Sequence, residues 1–213
     1  MPSTVVHLAL AGLIAAALLG AAFGPRPLAV VAALVILPDL DAFASLFIQG
    51  SHRALLHTLL VPLAIAAWIY YDTRISESSW LATRFDGQGP RVAWVAVLAM
   101  VLAGIGPDLV GAGTNLFYPL HDQFYQLNGR IELSNQRGLV QTVFELAPDS
   151  NNGGVGIGTT QDVHISSGID PTAGDEPETV ERLFPIVRSG TQLLLVVTSV
   201  VVVGLRLYES RDT

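Results

Sequence analysis

Seven side chains capable of acid–base, ligand or ion-pair chemistry lie in or beside apolar stretches: His7, Asp39, Asp41, His52, Arg53, His57 and Asp108. Ionisable groups at membrane depth are expensive and usually functional. Imidazoles and carboxylates together form a nitrogen and oxygen ligand set. With no Cys in the sequence, thiolate sites and cysteine nucleophiles are excluded. Such a set suits a divalent metal: zinc is the first expectation, with manganese or iron as alternatives. Asp39 and Asp41 are two residues apart, which suits an irregular turn that aims both carboxylates inward. Adjacent carboxylates repel unless a cation or a proton lies between them. His52 and His57 are five apart and do not share an ideal helix face. His52 is expected in a loop or first turn, with His57 one turn deeper.

The elements that must position these groups are apolar. The chain has 213 residues, 51% hydrophobic and 14% charged, against about 25% charged in an average soluble domain. The apolar residues come in blocks: 5–23, 28–37 continuing through Pro38-Asp39-Leu40-Asp41, 54–71, 92–110 and 186–205. The expected fold class is therefore an all-α membrane bundle of about five transmembrane helices, a multi-pass protein of the cell membrane whose partner is the lipid bilayer. Trp68, Tyr70 and Tyr71 mark an interfacial belt. Gly104, Gly106 and Pro107 allow a kink or close helix approach. Expected domains are a transmembrane unit at 1–125, an acidic extramembrane loop at 126–185, and an anchor with its tail at 186–213. Residues 127–146 alternate enough for short strands. The glycine run 152–158 lacks the strand–helix context of a phosphate loop and reads as a flexible loop.

Five crossings bring the candidates to one side of the membrane. If the chain starts on side one, then His7, Asp39, Asp41, His52, His57 and Asp108 all fall there. Bland readings stand beside this one. His57 could make a helix–helix hydrogen bond instead of binding metal. Asp39 and Asp41 could mark a polar helix end, and Asp108 could support the site without touching it. Arg53 could pair with Asp39 or Asp41, or stabilise a developing anion. His121 is a weaker candidate, and His164 reads as surface. The net charge is −7, and all eleven basic residues are Arg. Acidity without Lys suggests a halophile-like composition and speaks against nucleic-acid binding, because phosphate would be repelled. Arg26, Arg74, Arg84, Arg91, Arg206 and Arg211 fall on side two, which the positive-inside rule makes cytoplasmic. The cluster then faces outward.

The order His7, Pro38-Asp39-Leu40-Asp41, His52-Arg53 with His57-Thr58, and Asp108 with Asn115-Leu116-Phe117-Tyr118-Pro119 resembles the membrane-bound metal-dependent hydrolases, the LexA-regulated inner-membrane hydrolases. The likeness covers residues 1–125. The candidate ligands of one or two divalent ions are His7, Asp39, Asp41, His52, His57 and Asp108, with Asp41 and Arg53 as candidate catalytic residues, and the resemblance implies a metal-assisted hydrolase. It also implies hydrolysis of a membrane-associated ester such as a phosphoester. The contrasting expectation is a non-enzymatic membrane protein with a structural metal site or an ion or proton pathway. Two positions depart from the family pattern: Val6 stands where Thr usually precedes the first His, and Gly104 where a His is expected four residues before Asp108.

Overall fold

A computed structural model describes residues 2–127, 129, 131–141 and 156–210. Helix α1, Thr4–Leu18, starts on Ser3, whose Oγ accepts from the Val6 amide. It ends where Gly20 turns left-handed at φ +56°. There the Arg91 Nε donates to the Leu18 carbonyl at 2.8 Å, satisfying one of the terminal acceptors. Helix α2, Pro25–Ile36, opens with two prolines in its first turn, where a missing N–H does no harm. Pro38 then bends the chain by 44° into a 3₁₀ turn, Pro38–Leu40, and the four-residue α3, Asp41–Ala44.

Helix α4 is Leu60–Tyr70 and continues as a π-helical turn over Tyr71–Ile75. The apolar run from residue 54 is therefore not helical at its start, contrary to expectation. The amides of Arg53 and Leu56 donate to the Asp41 carboxylate at 3.0 and 3.4 Å, and that of Leu59 donates to the Leu116 carbonyl at 2.8 Å. Backbone donors spent on those partners are not available to a helix. His57 thus sits in a turn instead of one helical turn deeper.

Helix α5, Gly89–Ala99, passes through π-helical turns at Met100–Ile105 into α6, Gly106–Gly111, as one apolar rod of 23 residues. Helix α7, Gly190–Glu209, is the second rod of membrane-spanning length. By length and apolarity the described residues hold two such helices, or three if the bent pair Pro25–Ile36 and Pro38–Ala44 counts as one. Helix α1, at about 1.5 Å per residue, falls short of a hydrocarbon core of about 30 Å.

Ala15, Leu19, Val31, Val35, Val92 and Ala99 are buried between α1, α2 and α5. Small side chains let these helices approach closely, as membrane packing requires. On the other side of α1, the Ser199 Oγ of α7 donates to the Ala9 carbonyl at 2.7 Å. A Cβ at Gly12 would stand 3.0 Å from both Ser199 and Val203.

The expected strands form one hairpin, β1 Ile131–Ser134 and β2 Gly138–Gln141, antiparallel with Ser134 opposite Gly138. The first four residues of the 152–158 glycine run lie outside the described residues. Residues 156–188 hold no helix and form a strap across the end of the bundle. The Phe124 amide donates to the Gly158 carbonyl at 2.8 Å, and the Ser3 hydroxyl donates to the Ile186 carbonyl. At Gly50, φ +69°, an added Cβ would lie 2.0 Å from the Thr160 carbonyl oxygen, so only glycine lets the strap seat there.

Candidate metal centre

The N-terminal end of α1, the α2 bend, the turn before α4 and the start of α6 meet at one end of the bundle. His7 comes from the second turn of α1 and is 1% exposed. Its Nδ1 meets the Ala103 carbonyl at 2.5 Å. Pro107, four residues on, has no N–H to offer that carbonyl. If His7 Nδ1 carries the proton, its Nε2 presents a lone pair 3.5 Å from Asp108 Oδ1. That tautomer is the one a metal ligand needs. Asp39 is half-buried on the 3₁₀ turn, and its Oδ2 accepts from the Thr4 hydroxyl at 2.5 Å. One ligand atom each from His7, Asp39 and Asp108 lies within 4.8 Å of the other two. This donor set fits a divalent ion: one imidazole nitrogen with its lone pair inward, and two carboxylates.

Asp41 stands behind that triad and is fully buried. Its Oδ1 is 2.9 Å from His52 Nδ1, and its Oδ2 is 2.8 Å from His57 Nδ1. Oδ2 also takes the two amide donors of the turn. His57, equally buried, reaches Asp108 Oδ2 with Nε2 at 3.0 Å. Both of its nitrogens therefore face carboxylates, which the doubly protonated imidazolium satisfies. In this geometry His57 couples two carboxylates and has no lone pair for a metal.

Of the two partners expected for Arg53, neither is taken by its guanidinium. Its Nη2 donates to Asp108 Oδ1 at 2.5 Å, while only its backbone amide goes to Asp41. Arg53 is 2% exposed and carries a left-handed backbone, φ +62°. That conformation is rare for a residue with a Cβ and clusters at functional sites.

A cavity of about 460 Å³ opens over the triad. His7, Asp39, His52, Arg53 and Asp108 line it, while Asp41 and His57 do not. The six expected ligands thus separate into residues on the cavity and residues behind it. His121 is exposed and lies against the Tyr125 ring, outside the cluster. His164 is half-buried, with Nδ1 3.9 Å from Asp170, rather than freely on the surface. At Gly104 a Cβ would stand 3.2 Å from the Val35 carbonyl oxygen and 3.6 Å from Pro38 Cγ. A side chain at 104 would therefore press on the α2 backbone at Val35, where the rod and α2 approach closely.

Sequence reasoning missed Thr4 and Arg188. Thr4 lies three residues before His7, on the same helix face, which is the available signal for a partner to the site. Arg188, at the foot of α7, lines the cavity across the strap, and no local pattern pointed to it.

Apolar helices packed through small residues, with ionisable groups gathered at one end, define an integral membrane protein with a polar cluster at one end of its bundle. Residues 1–161 match the YdjM inner membrane protein family, and the chain belongs to that family. The match runs past residue 125 into the strap. No curated protein and no solved structure matches the chain.

Proposed function

We propose that the chain is a membrane-bound metal-dependent hydrolase of a membrane-associated ester, with a phosphoester as the favoured substrate. The observation that carries this is the convergence of His7, Asp39 and Asp108 on the floor of an open cavity. A divalent ion there, zinc first and manganese or iron as alternatives, would supply Lewis acidity to an ester oxygen and to the attacking water. His7 orients its lone pair by bonding the Ala103 carbonyl. Thr4 fixes Asp39. His52 lines the cavity with Nδ1 held by Asp41. With Nδ1 as the donor in that pairing, Nε2 keeps a lone pair and is the candidate general base toward water. Asp41 orients this imidazole instead of reacting itself, and Arg53 holds Asp108 while offering positive charge to a developing anion.

In this reading five segments cross the inner membrane: α1, the bent α2–α3 pair, α4, the α5–α6 rod and α7. Arg91 and Arg206 cap the Leu18 and Gly20 carbonyls at the end of α1 away from His7. This distribution supports a cytoplasmic far end and an extracytoplasmic site. A reporter fused after Thr213 tests it: activity on the extracytoplasmic side overturns the orientation.

A second reading has one observation in its favour. His52, Asp41, His57, Asp108 and His7 form an unbroken series of close contacts, the form a proton or ion pathway would take. Metal analysis of the purified protein separates the two. About one ion per chain, lost in His7→Ala and Asp39→Asn, with hydrolysis of a phospholipid or bis(p-nitrophenyl) phosphate, supports the hydrolase. A metal-free wild-type protein sinks it. Bound metal with no hydrolysis favours the non-enzymatic reading.

A further inference from the structure

We infer that the cavity over the triad is an amphiphile site: Arg53 and Arg188 hold a phosphoryl-type headgroup, and Val5, Leu183 and Phe184 receive one hydrocarbon chain. This names a substrate class for the site proposed above and rests on that reading for catalysis, though not for binding.

Three observations carry it. First, the Arg53 side chain is buried, yet its Nε has no hydrogen-bond partner. Buried donors are almost always satisfied, so an unpaired N–H in a side chain that lines the cavity points to an absent acceptor. The guanidinium presents planar, paired donors suited to phosphoryl oxygens. Second, Arg188 brings another positively charged residue to the cavity lining, and its side chain bonds no described residue. Third, the strap wall is apolar and open: Leu183 is 58% and Phe184 69% exposed, and both line the cavity with Val5 of α1. Apolar side chains left uncovered at a cavity rim, beside two helices of a membrane protein, suit a lipid chain entering from the bilayer. The volume is within the roughly 300–1,000 Å³ of small-molecule sites, enough for a headgroup and the start of one chain. Glu181 also lines the cavity and is exposed. Its charge opposes an anion at the rim, which gives the inference a sign that can be checked.

The test uses the full chain purified in a neutral maltoside detergent, with titration calorimetry of dodecylphosphonate, whose C–P bond resists hydrolysis. Ethylphosphonate and dodecyltrimethylammonium serve as headgroup-only and charge-reversed probes. Metal content is measured on the same preparations. One saturable site per chain is expected. Arg188→Gln should weaken it roughly ten- to a hundredfold, the range for a hydrogen bond to a charged group, and Glu181→Gln should tighten it. Because Arg188 is exposed, its substitution leaves the fold intact. The inference is overturned by equal affinity in Arg188→Gln, by equal binding of dodecyltrimethylammonium or ethylphosphonate, or by no saturable binding. Bound metal with an unaffected Arg188→Gln removes this inference and leaves the hydrolase. Arg188-dependent binding in a metal-free protein does the reverse.

Discussion

Under the proposed function, Asp41→Asn distinguishes a residue that orients the site from one that would bind a metal. The carboxylate accepts from two imidazole nitrogens and two backbone amides. Asparagine keeps the shape but has only one acceptor atom. With its oxygen in the place of Oδ2, it still serves His57, the Arg53 amide and the Leu56 amide. Its NH₂ then faces His52 Nδ1, donor against donor. His52 relieves this by moving its proton to Nε2, at the loss of one charge-assisted hydrogen bond, about 1.5–3 kcal/mol. Asp41→Ala orphans all four donors and leaves buried positive charge unmatched, so about 3–5 kcal/mol is expected.

The chemical effect of Asp41→Asn should exceed its effect on stability. A His52 protonated at Nε2 has no lone pair on the cavity side, and removing a general base lowers turnover by roughly 10²–10⁴. Metal content should stay at the wild-type level, since His7, Asp39 and Asp108 keep their positions. Tryptophan-fluorescence unfolding in detergent, metal analysis and phosphoester turnover measure the three quantities on one preparation. If Asp41→Asn loses its metal as completely as Asp39→Asn, then Asp41 is itself a ligand and the two-layer description fails.

His57→Gln should destabilise the protein by about 3–5 kcal/mol, because it removes the buried positive link between Asp41 and Asp108. An unfolding midpoint within a degree of wild type would refute that role. Gly104→Ala should cost about 1–3 kcal/mol through its close approach to Val35, and Gly104→His should lower the yield of folded protein without raising metal content. Added metal in Gly104→His would show that the rod and α2 can part. Asp72, in the π-helical turn that ends α4 and opens the polar segment after it, accepts from Ser79 Oγ at 2.6 Å and from the Trp80 and Leu81 amides. The Ser79 hydrogen bond leads in holding its carboxyl below the usual carboxylate range. A depressed folded-state pKa means stabilisation that is full above the ordinary carboxylate pKa and lost as pH falls through the folded one. Acidification should therefore loosen the Trp68–Trp80 contact in wild type, and Asp72→Asn should lack that step in a fluorescence titration.

The bundle was legible because apolar block length is a direct consequence of bilayer thickness. The gathering of His7, Asp39 and Asp108 was expected from a count of five crossings, of which the described residues hold two, or three with the bent pair, long and apolar enough to span. What the pattern could not carry was hydrogen-bond direction. His57 and Asp41 are ligand types at plausible spacings, and only the Asp41 contacts to the turn amides put them behind the cavity. The α4 start escaped for the same reason: an apolar run predicts helix, while the amides of Arg53 and Leu56 answer to a carboxylate from another segment. Arg188 is distant in sequence from His7, Asp39, Arg53 and Asp108, and its place on the cavity depends on how the strap runs.

Charge balance gives the cluster its remaining logic. Asp39, Asp41 and Asp108 face Arg53 and a doubly protonated His57, which leaves one negative charge in excess when His7 and His52 are neutral. Unmatched charge in a poorly solvated site is expensive, so under the proposed function a divalent ion would offset the excess negative charge and leave a positive one that favours an anionic headgroup. All three carboxylates act electrostatically on Arg53. Arg53→Gln should therefore cost about 3–5 kcal/mol in the metal-free protein. Adding Asp39→Asn should recover part of this by removing the charge left over, with a coupling of about 0.5–3 kcal/mol as expected for residues in one network. Unfolding free energies of the two single variants and the double variant measure that coupling under metal chelation. Simple additivity would mean that Asp39 is solvated well enough to ignore its neighbours, and the excess charge would then be no reason for a metal to bind.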